Sequence, residues 1–484
     1  MTPSQYTPEE PISSIATALA PAALGIVRVS GKGCIELVSR VFSRPKALLE
    51  AAGNTLVYGW IQSTADSKID EVMLAVYRAP KSFTGEDMIE IFCHGGPAVV
   101  TAIQNLMLKT GFRQANRGEY TFRAFINGKT DLTRAEAVKE IIDSHTDVSR
   151  SHAAGRLAGS LFEEIDSIKK LIIDTLAAIE VEIEYPEDEE TIADSFDRSD
   201  IEAAASRLQS LADSWRGEKL YQDGARVVLA GRTNAGKSSL FNAILKEERA
   251  IVSDIEGTTR DWLESWASIN GIPVRLFDTA GLRETTDKIE AQGVEISRSL
   301  VHDADVVLYL VDSQCGLNEE DRDFIENCKE PLIVVETKCD LDGGVTGAES
   351  PLEGVASDEV RARGSRNERE CAKFPARLSP SSCKISSKTG EGLSELFTQI
   401  AAILTAGLST ERTQAGLGSA RQKEAVSAAL ESVRHALASA DDNYTLDAVV
   451  QDLEDALDSL GEVTGDVTPD DVLGSIFANF CVGK

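Results

Sequence analysis

Residues 231–238 read GRTNAGKS, directly after the apolar run ARVVLA and directly before the helical pattern SSLFNAIL. A strand, a glycine-rich turn carrying a lysine and a helix start form the arrangement that holds a nucleotide polyphosphate. Backbone N–H groups wrap the phosphate oxygens at a helix N-terminus, Lys237 reaches the β and γ oxygens, and the Ser238 hydroxyl ligates magnesium. Three further segments follow in the order that chemistry needs. GTTRD at 257–261 offers the Thr258 and Thr259 hydroxyls to a switch that senses the γ-phosphate through magnesium. DTAG at 278–281 follows an apolar run, so Asp278 can hold the magnesium shell and the Gly281 amide can meet the γ-phosphate. TKCD at 337–340 closes another such run, and Asp340 can accept from both N1–H and the 2-amino group of guanine, a pair adenine lacks. SSKTGEG at 386–392 then supplies a loop, Ser386 to Lys388, for the guanine oxygen. In register, these segments point to guanine-nucleotide hydrolysis. Leu282, after DTAG, cannot orient the attacking water as a Ras-type glutamine does, and the motifs dictate no arginine. Another group must place the water, and an external finger or a cation must meet the transition-state charge.

Short apolar runs carry these motifs: ARVVLA, VRLFDTAG, DVVLYLVD and PLIVVETKCD, separated by helix-length segments, have the rhythm of a parallel α/β sheet. Before them, LGIVRVSG, NTLVYGW, EVMLAVYRA and MIEIFCHGG are β-branched runs bounded by turn residues, and PAVVTAIQNLMLKTGF has helical period, which predicts a small α+β domain over 1–128. Helical patterns fill 129–220 and return over 409–484, so the α/β unit at 221–408 is expected to be inserted into a helical domain made of two sequence-distant halves. Residues 341–383, rich in Gly, Ser, Pro and charge, predict a long surface loop.

The 484 residues suffice for two to four domains, and 42% hydrophobic content is ordinary for globular chains. No stretch approaches the ~20 uninterrupted apolar residues of a membrane span, and MTPSQYTPEEP lacks both parts of a signal peptide, so a cytoplasmic protein without membrane association is expected. Cys34, Cys93, Cys315, Cys328, Cys339, Cys371, Cys383 and Cys481 lie scattered, with no C-x-x-C pair, against a disulfide framework or structural zinc site. A formal charge of −30 works against this chain holding a large polyphosphate alone. The final FCVGK has the cysteine spacing of a prenylation box, but Gly483 and Lys484 are the wrong residues for one.

The order of these features, with GIVRVSG, SFTGEDMIEIFCHGGP, RGEYTFRAFINGKTDLTRAEA, GRTNAGKSSLFNAIL, IVSDIEGTTRD, DTAGLRE and DDVLGSIFANFCVGK, resembles the tRNA-modification GTPase family called MnmE or TrmE over nearly the whole chain. The resemblance implies an N-terminal α+β folate-binding and dimerising domain, a helical domain in two halves and an inserted P-loop GTPase domain. It implies addition of a carboxymethylaminomethyl or aminomethyl group to C5 of the wobble uridine of certain tRNAs. The implied partners are a FAD-containing MnmG-type protein forming a heterotetramer, tRNA and a second copy of the chain; the carbon comes from 5-formyl- or methylene-tetrahydrofolate. Arg28, Glu90, Lys129 and Lys484 match the folate contacts. Carboxylates suit paired pterin donors, and cations suit folate carboxylates. Potassium would take the place of an arginine finger, with Asn234, Ser253, Ile255 and Thr258 as its ligands, and Ser238 and Thr259 would hold magnesium. Glu290 matches the acid that positions the water.

GTP contacts then come from Asn234, Ala235, Gly236, Lys237, Ser238 and Ser239; from Ser253, Asp254, Ile255, Glu256, Gly257, Thr258 and Thr259; from Asp278, Thr279, Ala280 and Gly281; from Thr337, Lys338, Cys339 and Asp340; and from Ser386, Ser387 and Lys388. Cys481 becomes a candidate thiolate beside Lys484, able to add to C6 of uridine and activate C5, with a buried structural thiol as the other reading. Two features depart from the family pattern. Thr337 stands where an Asn is usual, which loses an amide contact to the base, and the 341–383 loop is longer than the family needs. Two other readings use the same motifs: a stand-alone regulatory or ribosome-assembly GTPase, which has no use for folate, and a lipid-anchored switch, which needs a modified Cys481.

Overall fold

The structure, a computed structural model, describes residues 10–64, 67–184, 198–247, 264–278, 300–341, 381–408, 415–441 and 446–483. Contacts divide the chain into two units, one of Met1–Ile142, Ala153–Asp213 and Thr413–Lys484, the other of Asp143–His152 and Ser214–Arg412.

In the first unit, β1 (Ile12–Ile15), β2 (Ala22–Ser30), β3 (Thr55–Thr64), β4 (Ser67–Tyr77), β5 (Met88–Gly95) and β6 (Arg113–Gln114) form a sheet in the order β3-β4-β5-β2-β1-β6. Every pairing is antiparallel except β1 with β6. Side chains alternate across a strand, so Val27 and Val29, Leu74 and Val76, and Ile89 and Ile91 enter one core with Val100, Ile103 and Met107 of the helix Pro97–Thr110. Arg28 and Glu90, between those pairs, share the opposite face and sit in register.

The same unit holds the helices Leu132–Asp143, Ser160–Glu184, Ala420–Asp441, Leu446–Thr464 and Asp470–Ala478. Residues from before and after the inserted segment are tied by Arg421 to Glu136 at 2.8 Å and Lys169 to Asp466 at 2.7 Å. Arg156, 1% exposed, pairs with Glu140 at 2.6 Å and donates to the Gly416 carbonyl at 3.3 Å. A buried guanidinium persists only with such partners.

The second unit is a sheet of β7 (Ala225–Gly231), β8 (Glu264–Ile269), β9 (Ile272–Asp278), β10 (Val306–Asp312), β11 (Leu332–Thr337) and β12 (Ser381–Lys384), ordered β12-β11-β10-β7-β9-β8. Leu229, Leu308, Leu310 and Val335 face the helices Lys237–Glu247 and Leu393–Leu404, while Val228, Val307 and Tyr309 line the core on the other face. Burial on both faces is why these strands read as continuous apolar runs. Two strands differ from the sequence expectation. β8 runs antiparallel to β9 through an Asn270–Gly271 turn with both φ angles positive, at 51° and 85°, so the sheet is mixed rather than wholly parallel. β12 occupies 381–384, so the irregular stretch expected over 341–383 ends before Ser381; pairing with β11 satisfies a backbone that composition alone would leave as loop.

Candidate functional site

β7 ends at Gly231, whose φ of 130° favours glycine and whose Cβ position would collide with the Leu310 carbonyl oxygen. The turn then passes through Asn234, left-handed at φ 64° and exposed, and Gly236 at φ 93°, before the helix opens at Lys237. This places backbone amides at a helix N-terminus, the arrangement that attracts phosphate. Lys237 is buried and folds over the turn, its Nζ donating to the Gly231 and Arg232 carbonyls at 2.9 and 2.7 Å. Ser238 Oγ donates to Asp278 Oδ2 at 2.9 Å, bringing the end of β9 to the first turn of the helix. Hydroxyl and carboxylate oxygens side by side are the hard donors that suit magnesium.

The base-reading segments gather at the ends of β11 and β12, on the same carboxyl edge as the phosphate turn, where open α/β sheets hold ligands. Asp340 Oδ1 accepts from Ser386 Oγ at 2.9 Å. Ser386 is fully buried, and its Oγ also accepts from the Thr389 amide at 3.3 Å. Ser387 is half-buried and Lys388 exposed. Lys338, left-handed at φ 64°, donates to Asp312 Oδ2 at 2.7 Å and so holds the Asp312 carboxyl below the usual carboxylate range. The Thr337 hydroxyl is buried, 2.8 Å from the Ala235 carbonyl and 3.2 Å from that of Val311. It ties the base segment to the phosphate turn, a part the sequence reading missed when it treated Thr337 only as a lost amide. Arg232 was also passed over: its guanidinium donates to the Gly316 carbonyl at 2.6 Å and pairs with Asp321 at 3.0 Å. Its place inside the glycine-rich turn was the available signal. Ser253, Asp254, Ile255, Glu256, Gly257, Thr258, Thr259, Thr279, Ala280, Gly281, Glu290 and Lys484 lie outside the described residues, as do 342–380 of the expected loop.

A second constellation occupies the N-terminal sheet. Arg28 Nη2 and Nε donate to Glu90 Oε1 at 2.7 and 3.0 Å, and both side chains are largely buried. Arg28 Nη1 donates to the Gly483 carbonyl at 2.8 Å. The guanidinium carbon lies 5.9 and 5.6 Å from the Phe83 and Tyr120 ring centroids. Tyr77 lies 3.5 Å from Glu90 Oε2, and burial first, then that carboxylate, pushes its phenol up. The tail is held from several sides: Val482 bridges Arg117, the Gly118 amide donates to the Cys481 carbonyl at 3.4 Å, and a Cβ on Gly483 would come within 2.7 Å of the Ile15 carbonyl oxygen. Cys481 itself is exposed. Lys129, also exposed, donates to the Pro80 carbonyl at 3.1 Å, with its stem beside the Gly85 turn. Arg28, Glu90 and the segment ending at Gly483 are thus brought together, with Lys129 resting against the loop that follows Tyr77.

Residues 132–481 match the family described as MnmE helical domain, and residues 11–129 match that described as GTP-binding protein TrmE N-terminus. A relative named tRNA modification GTPase MnmE, from Treponema denticola, is 50% identical over 99% of both chains. The chain belongs to the MnmE family of tRNA modification GTPases. Its enzymatic class is therefore GTP hydrolase, built as an N-terminal α+β part, a helical part and a P-loop α/β part. Relatives with the same MnmE name from Borrelia turicatae and Carboxydothermus hydrogenoformans are 39% and 40% identical over 98% of this chain, covering 98% and 100% of theirs. Among the described residues no helix is long and apolar enough to cross a membrane.

Proposed function

We propose that this MnmE-family GTPase uses potassium-dependent GTP hydrolysis to drive addition of a carboxymethylaminomethyl or aminomethyl group to C5 of a tRNA wobble uridine. The carbon comes from 5-formyl- or methylene-tetrahydrofolate, and a FAD-containing MnmG-type protein is the partner in a heterotetramer. One observation carries this reading beyond a simple switch: the Gly483 carbonyl, at the FCVGK tail, meets the Arg28–Glu90 pair on the N-terminal sheet. A nucleotide switch has no use for such a site. The Glu90 carboxylate there can accept paired pterin donors, with Lys129 and Lys484 as cations for the folate carboxylates. Cys481, exposed two residues before Gly483, is the thiol that would add to C6 of the uridine.

In the nucleotide site, the amides from Asn234 to Ser239 wrap the phosphates and the Lys237 ammonium moves from the loop carbonyls to the β and γ oxygens. Asp340 accepts from guanine, Ser386 steadies Asp340, and Ser387 and Lys388 offer backbone to the guanine oxygen. Ser238, Thr259 and Asp278 would hold magnesium, which supplies charge neutralisation of the phosphate oxygens. Asn234, Ser253, Ile255 and Thr258 would hold potassium, which supplies the charge of an arginine finger. Glu290 orients water. The four-part division at 128, 220 and 408, a homodimer and a cytoplasmic location complete the reading. The exposed Leu56 and Tyr58 of β3 and Met73 of β4 are apolar groups that a second copy could cover.

Mass analysis of wobble uridine from cells lacking the protein tests it, with complementation by the parent and by Cys481→Ser. Unmodified uridine in the null, restored by the parent, is expected. Cys481→Ser should fail to restore it while hydrolysing GTP within about twofold of the parent, a change small on the scale of catalytic effects. Normal uridine in the null would leave only a GTPase without modification chemistry. A prenyl group in the intact mass would revive the anchored switch.

A further inference from the structure

We propose that Arg232 is a positioning residue for GTP, a side-chain clamp that fixes the entrance of the phosphate loop to the segment following β10. The inference rests on reading Asn234–Ser239 as the phosphate loop. That loop needs its backbone held in place before the nucleotide arrives, because N–H donors that must reorganise lose part of what they contribute. Glycine conformations make the turn feasible but do not hold it. Two side chains do. At the exit, the buried Thr337 hydroxyl meets the Ala235 carbonyl. At the entrance, Arg232 Nη2 donates to the Gly316 carbonyl at 2.6 Å and forms an ion pair with Asp321 Oδ2 at 3.0 Å.

Asp321 is a rigid anchor. It is 1% exposed, accepts the Tyr309 hydroxyl at 2.7 Å and the Asn318 amide at 2.9 Å, and closes a capping box that starts the helix Glu319–Asn327. Tyr309 is itself fixed in β10 and stacked on Phe324 with centroids 4.7 Å apart. The Arg232 peptide therefore inherits the position of that helix start. The same peptide supplies the carbonyl that takes the Lys237 ammonium at 2.7 Å and the Ala235 amide at 3.3 Å. Shifting it moves both the lysine and the first loop amide. The guanidinium, spent on Gly316 and Asp321, acts through the loop rather than on the phosphates.

The test uses the full-length protein, with GDP affinity and steady-state GTP hydrolysis measured for the parent, Arg232→Ala, Arg232→Lys, Asp321→Asn, the double variant Arg232→Ala/Asp321→Asn, and Lys237→Ala. Arg232→Ala should raise KM and weaken GDP binding about tenfold, as expected for one charge-assisted hydrogen bond, with kcat within about threefold. Arg232→Lys, which keeps one donor to Asp321, should recover most of that loss. The loss in the double variant should fall short of the sum of the two single losses, since both substitutions break the Arg232–Asp321 contact. KM and GDP affinity within about twofold of the parent for Arg232→Ala, or losses that add in the double variant, would overturn the clamp. If Asp321→Asn does not fold, the Ala and Lys variants decide the matter. Normal GDP affinity in Lys237→Ala would instead overturn the phosphate-loop reading itself.

Discussion

The glycine-rich phosphate turn is one continuous stretch, Gly231 to Ser238, whereas the Arg28 site joins β2, β5 and a carbonyl 455 positions further along the chain. The first binds with backbone N–H groups, so what the sequence must supply is local: residues that tolerate left-handed φ at the right spacing, and a helix start. The second is built of side chains held in a buried pair, so it requires a whole sheet register and a returning tail. A change far from the phosphate turn reaches its amides only through a few side-chain contacts, those of Thr337 and of Arg232 with Gly316 and Asp321. A change almost anywhere along the path of the tail reaches Arg28.

That contrast can be broken or sharpened by treatments that strike one side alone. Exchanging potassium for sodium at equal ionic strength should slow GTP hydrolysis by about 10³ or more, the scale of an arginine finger, and leave folate affinity untouched. Equal initial rates in the two salts would remove potassium from the nucleotide side. Glu290→Ala should slow hydrolysis by roughly 10² while nucleotide affinity, read by titration with GDP, stays near the parent, because placing water acts on the transition state. Parental turnover would mean that another residue orients the water. On the other side, Arg28→Ala strands the Glu90 carboxylate, and affinity for 5-formyltetrahydrofolate should fall about thirtyfold or more, with GTP turnover unchanged. Unaltered folate titration would dissociate this pair from folate. Gly483→Ala, which forces a Cβ toward the Ile15 carbonyl, should weaken folate binding several-fold by displacing the tail, about what a strained left-handed residue costs. Wild-type affinity there would show the tail contact to be expendable.

The same contrast decides what the sequence made legible. The phosphate turn, the DTAG strand and the TKCD strand announce themselves by glycine spacing and apolar runs, and β7, β9, β10 and β11 stand where those runs predict. β8 was marked by the Asn-Gly pair at 270–271, a hairpin signal that its mixed ESWASI pattern obscured. β1 hid because ISSI carries two serines into the interior, where Ser13 donates to Gln104 at 2.8 Å and Ser14 to Tyr120 at 3.3 Å; polarity broke the expected alternation. β12 follows a Ser- and Pro-rich stretch that reads as loop and is a strand only through β11. Arg28 and Glu90 would have passed as ordinary charges without the family resemblance, since no local pattern reports a cross-strand partner. The Thr337 hydroxyl contacts and the Arg232–Asp321 pair depend on tertiary placement, and for Arg232 its place inside the glycine-rich turn was the one trace in the sequence.

The interleaving of the helical halves has a consequence for how the protein is made. Glu136 must wait for Arg421, 285 residues later, which at roughly 5–20 residues per second is about 15–60 s on the ribosome. Leu132 and Ala135, both fully buried in the finished chain, emerge long before Leu473 and Phe477, the groups that cover them. The nucleotide unit, complete by residue 412, can fold within that interval. The early helices therefore pass through a nascent stage with their apolar faces bare, the stage at which a chaperone would bind. The Arg28 contact to the Gly483 carbonyl closes last, once residue 483 has been added, so that contact marks a chain whose two halves have found each other.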